Sequence, residues 1–591
     1  MYLERLVIKN FRSISELTLH FNKGLNIIIG ENNSGKSTIV DVLRICFSIG
    51  SQRREIFVTQ YDFYINKQSL LEDIKTIEFH LFFKVENPEE TAWFNELVVI
   101  DDSGDQSLQL HYKYNLDERR GLKKVKYNIW GGAYEGQVVS PEVLSLLYSV
   151  YLDALRDAEQ HLRPIRGNRL GQFYANIQVD SDKKIDKEKK QAIANNLKLS
   201  IDKDENWRTH VESGKSKINE HLQATSYINH DPKIDIDFLA YDFNKLVDNL
   251  KMQIPVYTES LIGEDKTKQK YFDLFQNGLG YNNLIYAATV LGDLKQRKEI
   301  ERESYISLLI EEPEAHLHPQ LQAIFFNYLS TLDKNIGIQI FITSHSPSIT
   351  SKADVDSIIV LEKNDSTNAL SLSRSSLQPH NKNYLKKFLD TTRSQMLFAK
   401  GSILVEGISE ALLLPVFSVM IGEKYNIEKN GIELVNINGV SFEHFAILYN
   451  SDDENKRLRS KCSIVTDDDM DAETEEVSSR AKNAKLLEKN NLKVFLAKKT
   501  FEYELFITGN NRDLLLEIFA TMHPKSASKI PKTANIEECG SIFLEKLVAN
   551  KAKSEFSHRL SLRLLEDKKA REEFTVPAYI KNAIEYVIKS N

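Results

Sequence analysis

The fold is decided by one stretch near the N-terminus, LNIIIGENNSGKSTIVDVLRICF, which spans residues 25–47. Its first five residues are mostly apolar and predict a β-strand buried on both faces, as in a parallel sheet. Residues 38–47 predict a helix. Between them, residues 30–38 match G-x-x-x-x-G-K-[ST], the P-loop pattern, in the strand-then-helix setting that the pattern requires. The sequence therefore predicts an α/β fold built around a phosphate-binding loop.

The P-loop pattern also predicts how a nucleotide is held. Glycines let successive backbone N–H groups converge on phosphate oxygens, and the helix N-terminus adds positive partial charge. Lys36 is expected to reach the β- and γ-phosphates of ATP, and the Ser37 hydroxyl to ligate Mg²⁺. The predicted nucleotide-binding residues of the loop are Gly30, Asn33, Ser34, Gly35, Lys36, Ser37 and Thr38.

A second apolar strand, residues 308–310, ends in the acids Glu311 and Glu312. One carboxylate at such a strand end can approach the Mg²⁺ of a bound nucleotide, and the next can polarise the attacking water. We assign Glu311 to the metal and Glu312 to the water. Another apolar strand leads to His345, which we expect to contact the γ-phosphate; a structural polar role is the alternative.

The rest of the chain divides by its hydrophobic pattern. Runs between residues 75 and 130 predict β-strands, whereas residues 141–250 are highly charged and predict helices. The polar stretch 363–383 is the candidate joint between domains. Beyond it, strands alternate with helices, which predicts a second parallel sheet.

Acidic residues follow the strands of this second sheet. Glu406 ends one strand, and Glu410 lies one helical turn further on, on the same face. Another strand ends in three aspartates, of which Asp467 and Asp469 share a face and Asp468 points away. The carboxyl ends of parallel strands are where such sheets usually bind ligands.

A third pair, Glu502 and Glu504, has the same alternate spacing after the next strand. Clustered carboxylates repel one another unless cations neutralise them, and oxygen ligands without Cys or His suit Mg²⁺ or Mn²⁺. Two such ions can hold the attacking and leaving oxygens of a phosphodiester. Solvated loop acids are the alternative reading of any one pair.

Composition narrows the class of protein. The 591 residues are 41% hydrophobic, which excludes wholesale disorder, and the net charge of −7 means that DNA binding would depend on local basic patches. Three cysteines without metal-ligand spacing favour a reducing compartment. The most apolar stretch, residues 411–422, is too short to span a membrane, so we expect a cytoplasmic protein.

The motifs GENNSGKST, FQNGLGYNN (residues 275–283), LLIEEPEAHLHP and ITSHSP together resemble the ABC-type ATPase heads of the RecF and SMC-like class. In that class two heads sandwich ATP. The resemblance implies that Gly278 and Gly280 serve as the signature motif, although the usual LSGGQ is replaced. It also implies a homodimer or higher homo-oligomer, and it makes Gln60 a candidate lid contact to Mg²⁺.

The second half resembles the Toprim domain, whose pattern is a strand-end Glu followed by a strand-end DxD. This order of domains resembles the overcoming lysogenization defect (OLD) family of nucleases, which includes the nuclease subunit of Gabija anti-phage systems. The resemblance implies an ATPase domain over residues 1–375, with a helical dimerisation insert at about 145–255, and a Toprim domain over 376–591. It implies a metal site extended by Glu502 and Glu504.

The same resemblance assigns a late basic residue to Lys553, although Ser554 replaces the glycine of the family pattern. A cation there could stabilise charge on the scissile phosphate. For Arg156, in the insert, a structural role and a contact to nucleotide or to a partner both stay open.

Three functions compete. The first is an ATP-regulated, metal-dependent DNA endonuclease in anti-phage defence, with Glu406, Glu410, Asp467 and Asp469 as its acidic centre. The second is a non-nucleolytic RecF/SMC-like DNA-repair or signalling ATPase, and the third is a topoisomerase- or primase-like enzyme. The trigger, the direction of the ATP effect and the presence of a UvrD-like helicase partner stay open.

Overall fold

A computed structural model describes residues 1–48, 56–65, 74–86, 88–102, 104, 106–119, 122–153, 158–177, 187–225, 232–236, 242–257, 269–299, 304–315, 317–363, 366–389, 393–439, 441–469, 478–531 and 535–589. They form two compact units. The first contains Met1–Val143, Pro319–Asp333 and Gln339–Asn591, and the second contains Leu144–His318 and Lys334–Ile338.

The strands are β1 (Tyr2–Phe11), β2 (Ile14–His20), β3 (Leu25–Gly30), β4 (Thr76–Lys84), β5 (Val98–Ile100), β6 (Gln106–Arg119), β7 (Leu122–Gly131), β8 (Leu147–Leu152), β9 (Gln253–Pro255), β10 (Tyr271–Asp273), β11 (Tyr305–Glu311), β12 (Gln339–Ser344), β13 (Ile358–Lys363), β14 (Thr367–Ser371), β15 (Gly401–Val405), β16 (Ile432–Asn436), β17 (Lys461–Asp467) and β18 (Leu492–Ala497).

The α-helices are α1 (Lys36–Ser48), α2 (Pro88–Trp93), α3 (Pro141–Ser145), α4 (Ala158–Leu162), α5 (Arg169–Asn176), α6 (Lys187–Lys203), α7 (Glu205–Ala224), α8 (Phe243–Asp248), α9 (Leu279–Glu299), α10 (Pro319–Ile336), α11 (Pro347–Thr350), α12 (Pro379–Phe388), α13 (Ile408–Ile421), α14 (Glu443–Asn450), α15 (Ser479–Leu486), α16 (Phe501–Ile507), α17 (Asn511–Met522), α18 (Pro524–Ala527), α19 (Ile536–Ala549), α20 (Lys553–Glu566), α21 (Lys568–Glu573) and α22 (Ala578–Ile588).

The P-loop strand lies inside a sheet of the first unit. Strand β3 pairs in parallel with β12 on one side and β13 on the other, and β14 pairs antiparallel to β13. Ile27, Ile28 and Ile29 point to alternate faces of the sheet, and all three are fully buried. This confirms the expectation of a strand buried on both faces. An antiparallel sheet in the order β2-β1-β4-β6-β5, with β7 beside β6, completes the N-terminal part.

The predicted joint at residues 363–383 is more ordered than its polar composition suggests. Residues Thr367–Ser371 form β14, which extends the P-loop sheet, and helix α12 begins at Pro379. The role of this segment as the joint between domains stays a prediction. Serine and asparagine side chains hydrogen-bond locally in this segment, and such bonds are compatible with a short edge strand.

The second unit contains the helical region, but it also contains a strand that the sequence reading missed. Strand β8 lies within residues 141–250, which we predicted to be helical, and it pairs in parallel with β11. Its buried residues Leu147, Val150 and Leu152 are spaced by three and two, a pattern that also fits one face of a helix. Helices α4 to α9 lie between β8 and β11 in the sequence. Residues 182–186 and Arg156, both within the charged region 141–250, lie outside the described residues.

The C-terminal part contains a parallel sheet in the order β16-β15-β17-β18. A hydrophobic core forms between this sheet and five helices, α13, α16, α19, α20 and α22. The helices contribute residues such as Leu413, Phe501, Phe543, Phe556 and Ile584. This confirms the predicted second parallel sheet. No helix among the described residues is long and apolar enough to cross a membrane.

Candidate nucleotide and metal sites

The loop after β3 has a backbone that favours glycine. Gly30 has a φ of +152°, and a Cβ there would lie 2.5 Å from the carbonyl oxygen of Leu361. Gly35 has a φ of +104° and Asn33 a φ of +62°. Helix α1 begins directly afterwards, at Lys36. The local sequence therefore produces the tight loop that ends at a helix N-terminus, which is the geometry that binds phosphate.

Lys36 is buried within this loop. Its Nζ atom donates to the carbonyl oxygens of Gly30 at 2.8 Å and of Glu31 at 2.6 Å. The ammonium is therefore held on the inner side of the loop, where phosphate oxygens can replace carbonyl oxygens as acceptors. Ser34 is also buried, whereas Ser37 is exposed and Thr38 half-buried at the start of α1.

Gln60 begins a short 3₁₀ turn that ends at Asp62. Arg12 holds this turn: it donates from Nε to Asp62 at 2.8 Å and from Nη1 to Asp41 of helix α1 at 2.6 Å. The turn is thus tied by one guanidinium to the helix that follows the P-loop. Gln60 itself is exposed, as a lid contact to a nucleotide would require.

His345 follows β12 at the same sheet edge as the P-loop. The pairing of Ser344 with Ile29 places His345 level with Gly30. Lys363, at the end of β13, donates to the carbonyl oxygen of Asn33 at 3.0 Å. The two strands that flank β3 therefore both bring polar side chains to the end of that strand where the loop begins.

The remaining predicted nucleotide residues lie in the second unit. Glu311 ends β11 and accepts a hydrogen bond from Tyr151 of β8 at 2.5 Å, a partner that the sequence reading missed along with its strand. Glu312 follows with a φ of +42°. Gly278 precedes α9 and Gly280 lies in its first turn. Their roles at the nucleotide stay predictions.

The acidic cluster of the C-terminal sheet consists of Glu406, Glu410 and Asp467. Each offers a carboxylate oxygen, and these oxygens all lie within 4.8 Å of one another. Glu406 directly follows β15. Gly407 is the N-cap of helix α13, and Glu410 lies in the first turn of that helix. Asp467 ends the neighbouring strand β17. Three residues from two parallel strands and one helix thus meet at the carboxyl edge of the sheet.

Burial and mutual repulsion both favour the protonated forms of these acids. Burial, followed by the charges of Glu502 and Glu406, raises the pKa of Glu410 to about 7. Burial also raises the pKa of Asp467 well above its usual range, with Glu410 contributing next. Burial also raises the pKa of Glu406, although hydrogen bonds from the backbone amide of Asp467 and the side chain of Thr466 oppose the shift. The cluster therefore favours a cation as its counter-charge.

Lys553 and Glu502 lie beside the cluster as an ion pair. Lys553, the first residue of α20, donates to Glu502 at 2.8 Å, and Ser409 donates to the other oxygen of Glu502 at 3.2 Å. Burial lowers the pKa of Lys553, but the charges of Glu502, Asp467 and Glu410 outweigh it and raise that pKa. The late basic residue thus lies beside the acids, and its role at a phosphate stays a prediction.

Glu502 and Glu504 follow strand β18, which ends at Ala497. They lie in helix α16, where alternate residues point to different sides. Glu502 is buried, whereas Glu504 accepts from the backbone amide of Lys498 at 3.2 Å. Thr500 caps this helix by accepting from the amide of Tyr503. Only Glu502 therefore adjoins Lys553.

Asp468 and Asp469 hold the loop after β17. Asp468 accepts from the amide of Lys499 at 2.8 Å, and the amide of Asp469 donates to the carbonyl of Lys499 at 3.0 Å. Asp469, with a φ of +44°, is near enough to Glu406 to raise the pKa of that carboxyl. Arg480, which the sequence reading did not single out, lowers the same pKa. Asp469 thus lies beside the three clustered acids without belonging to them.

The donor set fits a divalent cation that prefers oxygen. The three clustered residues supply only carboxylate oxygens, and their spacing allows one ion to contact all three. Mg²⁺ and Mn²⁺ prefer such ligands, whereas Zn²⁺ usually takes Cys or His as well. Glu406, Glu410 and Asp467 would hold the ion, with Asp469 and Glu502 next to it.

The fold and these sites define a class of protein in which a P-loop ATPase core is followed by a Toprim-type sheet with acidic residues at its carboxyl edge. The chain belongs to the AAA ATPase domain family, which matches residues 1–350. Residues 397–469 match the overcoming lysogenization defect protein-like TOPRIM domain. These matches confirm the resemblance to OLD-family proteins drawn from the motifs.

Individual relatives agree with this assignment. The chain is 22% identical to Endonuclease GajA of Bacillus cereus (strain HuB5-5), over 100% of this chain and 99% of the relative. It is 24% identical to the OLD nuclease of Thermus scotoductus, over 69% of this chain and 72% of the relative.

Among solved structures, an SmcHead bound to the C-winged helix domain of ScpA is 16% identical with a TM-score of 0.36, and covers 63% of this chain and 99% of that one. The C-terminal region of the Xanthomonas campestris pv. campestris OLD protein is 20% identical with a TM-score of 0.24, and covers 32% of this chain and 95% of that one.

Proposed function

We propose that this protein is an ATP-regulated, divalent-metal-dependent DNA endonuclease of the OLD type that acts in anti-phage defence in the cytoplasm. The observation that carries the proposal is the meeting of Glu406, Glu410 and Asp467 within 4.8 Å, in a chain whose P-loop is also formed. The relatives named Endonuclease GajA and OLD nuclease support the same reaction class.

Each side chain has a distinct task in this proposal. When bound, Mg²⁺ or Mn²⁺ would supply Lewis acidity at a phosphodiester oxygen. Glu406, Glu410 and Asp467 hold and orient the ion, and Asp469 extends the acidic edge. Lys553 offers a positive charge beside the cluster that can stabilise the charge developing on the phosphate.

The nucleotide site would regulate cutting. The P-loop backbone and Lys36 bind the phosphates of ATP, Ser37 would ligate its Mg²⁺, and His345 lies level with the loop. Glu311, Glu312, Gly278 and Gly280 would complete the site in a homodimer or higher homo-oligomer. The proposed domain limits remain 1–375 and 376–591, with the insert at about 145–255 as the dimerisation region.

Cleavage of supercoiled plasmid with Mg²⁺ or Mn²⁺, with and without ATP, tests the proposal. Glu406→Gln and Asp467→Asn should each abolish nicking, because each removes a charged ligand while preserving shape. Glu433→Gln is the matched control, since Glu433 lies on β16 near the opposite end of the same sheet. Full cutting by both site variants would overturn the assignment.

A non-nucleolytic DNA-repair ATPase is the alternative that the P-loop alone supports. It predicts ATP hydrolysis that is lost in Lys36→Ala, with no strand cleavage by the wild type in either metal. Nicked or linear products in the wild type would exclude it, and relaxed closed circles would point to topoisomerase chemistry.

A further inference from the structure

Tyr579 has a buried hydroxyl that the proposed function does not use. The residue lies in the first turn of α22, and its ring packs against the core of the C-terminal part. Among the residues that the structure describes, its Oη atom is buried and has no hydrogen-bond partner. A buried polar group without a partner is unfavourable, so such a hydroxyl calls for an acceptor.

The surroundings of α22 indicate where that acceptor is. The helix packs against β15, β17 and α13, which are the elements that lead to Glu406, carry Asp467 and carry Glu410. Burial, then the charges of Asp467 and Glu410, raise the pKa of Tyr579 well above its usual range. The hydroxyl therefore stays protonated near neutral pH and can act as a donor to the acidic cluster.

Val587, near the end of α22, lies against Gly401 at the start of β15, so the first turn of the helix, with Tyr579, lies toward the carboxyl ends of the strands. The acceptor that we choose there is Asp467, because it ends β17, a strand against which α22 packs. Its Oδ1 atom already accepts the backbone amide of Phe501 at 2.8 Å, which fixes one side of the carboxylate. A carboxylate has about four lone-pair directions, so one ion and a second donor can still be accommodated. Donors that hydrogen-bond to a ligating carboxylate orient it toward the metal.

We propose that Tyr579 is a positioning residue of the cation site, whose hydroxyl donates to the Asp467 carboxylate when that carboxylate ligates a divalent cation. This inference rests on the proposed metal site. It adds a residue from the last helix of the chain, and it gives the buried Tyr579 hydroxyl an acceptor.

Mn²⁺ binding to the full-length protein tests the inference. Tyr579→Phe should raise the Kd for Mn²⁺ at the acidic cluster roughly tenfold, as loss of a partner to a metal ligand typically does. The Mn²⁺ concentration for half-maximal nicking should rise equally, with the rate at saturating Mn²⁺ nearly unchanged. Tyr586→Phe removes a hydroxyl from the same helix and should leave both quantities unaltered.

Thermal unfolding separates positioning from packing. In EDTA, Tyr579→Phe should melt at the wild-type temperature or above it, because it removes an unpartnered hydroxyl. In saturating Mn²⁺ it should melt lower than the wild type. An equal shift in both conditions, or failure of the variant to fold in EDTA, would overturn the inference, because the hydroxyl would then have a partner without the metal. An unchanged Kd would also overturn it, because the hydroxyl would then have no effect on the cation site.

A double-variant cycle with Asp467→Asn tests the acceptor itself. Tyr579→Phe should have no further effect on Mn²⁺ binding when Asp467 is already replaced; an additive effect would contradict the pairing. Failure of the proposed function is a different result, because the wild type would then bind no Mn²⁺ that depends on Glu406 and Glu410.

Discussion

Glu362 accepts a hydrogen bond from the backbone amide of Arg459, at 2.7 Å and across 97 residues of chain. Its second oxygen accepts from the amide of Ser460 at 2.9 Å. Glu362 follows Leu361, which pairs with Gly30 of the P-loop, and Ser460 directly precedes β17, which ends at Asp467. One side chain thus joins the P-loop sheet to the strand that carries a metal ligand.

This contact predicts that Glu362 transmits the nucleotide state to the acidic centre. Glu362→Ala removes both acceptors, so a movement of β13 would no longer act on the start of β17. We expect the ratio of nicking rates with and without ATP to fall toward one, while ATP hydrolysis changes less than about twofold. Parallel measurement of phosphate release and plasmid nicking checks this.

The control for this prediction is Glu572→Ala, which removes an exposed carboxylate that pairs with Lys568 on its own helix. It should leave the ATP effect on nicking unchanged. An unaltered ATP effect in Glu362→Ala would show that regulation takes another route.

Arg12 provides a prediction for the nucleotide site alone. Because it bridges Asp62 of the Gln60 turn and Asp41 of α1, Arg12→Ala should loosen that turn. The loss of about 1 kcal/mol of hydrogen bonding predicts a KM for ATP about fivefold higher. Steady-state ATP hydrolysis measures this. Arg374→Ala, which removes a surface pair with Glu4, should leave KM unchanged; an equal rise in both would contradict the role of the turn.

We propose both a structural and a catalytic role for Lys553, and a pair of variants separates the two. Lys553→Met should lower the melting temperature, because it leaves the buried Glu502 carboxylate without its cation. Adding Glu502→Gln should restore much of the stability, since no charge is then left unpaired. Nicking should stay reduced, by roughly a hundredfold, in both proteins because the positive charge is absent. Calorimetry and nicking assays together test this, and restored nicking in the double variant would argue against a catalytic role.

The raised pKa of Glu410 predicts a pH dependence with a defined sign. Its pKa rises from 4.5 when unfolded to about 7 when folded, so the folded state binds the proton more tightly. The corresponding stability is present below pH 4.5 and is lost as pH rises through 7. In EDTA the melting temperature should therefore fall between pH 5.5 and 8, with a smaller fall in Glu410→Gln.

Mg²⁺ should reverse this trend, because it binds the ionised acids and displaces the proton. Mg²⁺ binding at about pH 6.5 should release protons, which titration in two buffers of different ionisation enthalpy detects. A melting temperature that rises with pH in EDTA would contradict the assigned burial of Glu410.

The sequence was sufficient for those parts of the molecule that local pattern encodes. The P-loop and the strands that lead to Glu406 and Asp467 follow from short runs with a fixed order. Strand β8 was missed because its apolar spacing also fits a helix. The alternate spacing of Glu502 and Glu504 did not show that a helix points them to different sides. Long-range neighbours gave no local signal: Tyr579 comes more than a hundred residues after Asp467, and only folding brings their elements together.

The position of β3 between β12 and β13 also fixes the order in which a growing chain can fold on the ribosome. The apolar strand leaves the exit tunnel early, but its neighbours are made roughly 300 residues later, at about 5–20 residues per second. During that interval it needs protection from aggregation. All strands of the P-loop sheet are nevertheless made before Glu406, Asp467 and Lys553 are translated, so each nascent chain contains the complete P-loop sheet before its acidic cluster.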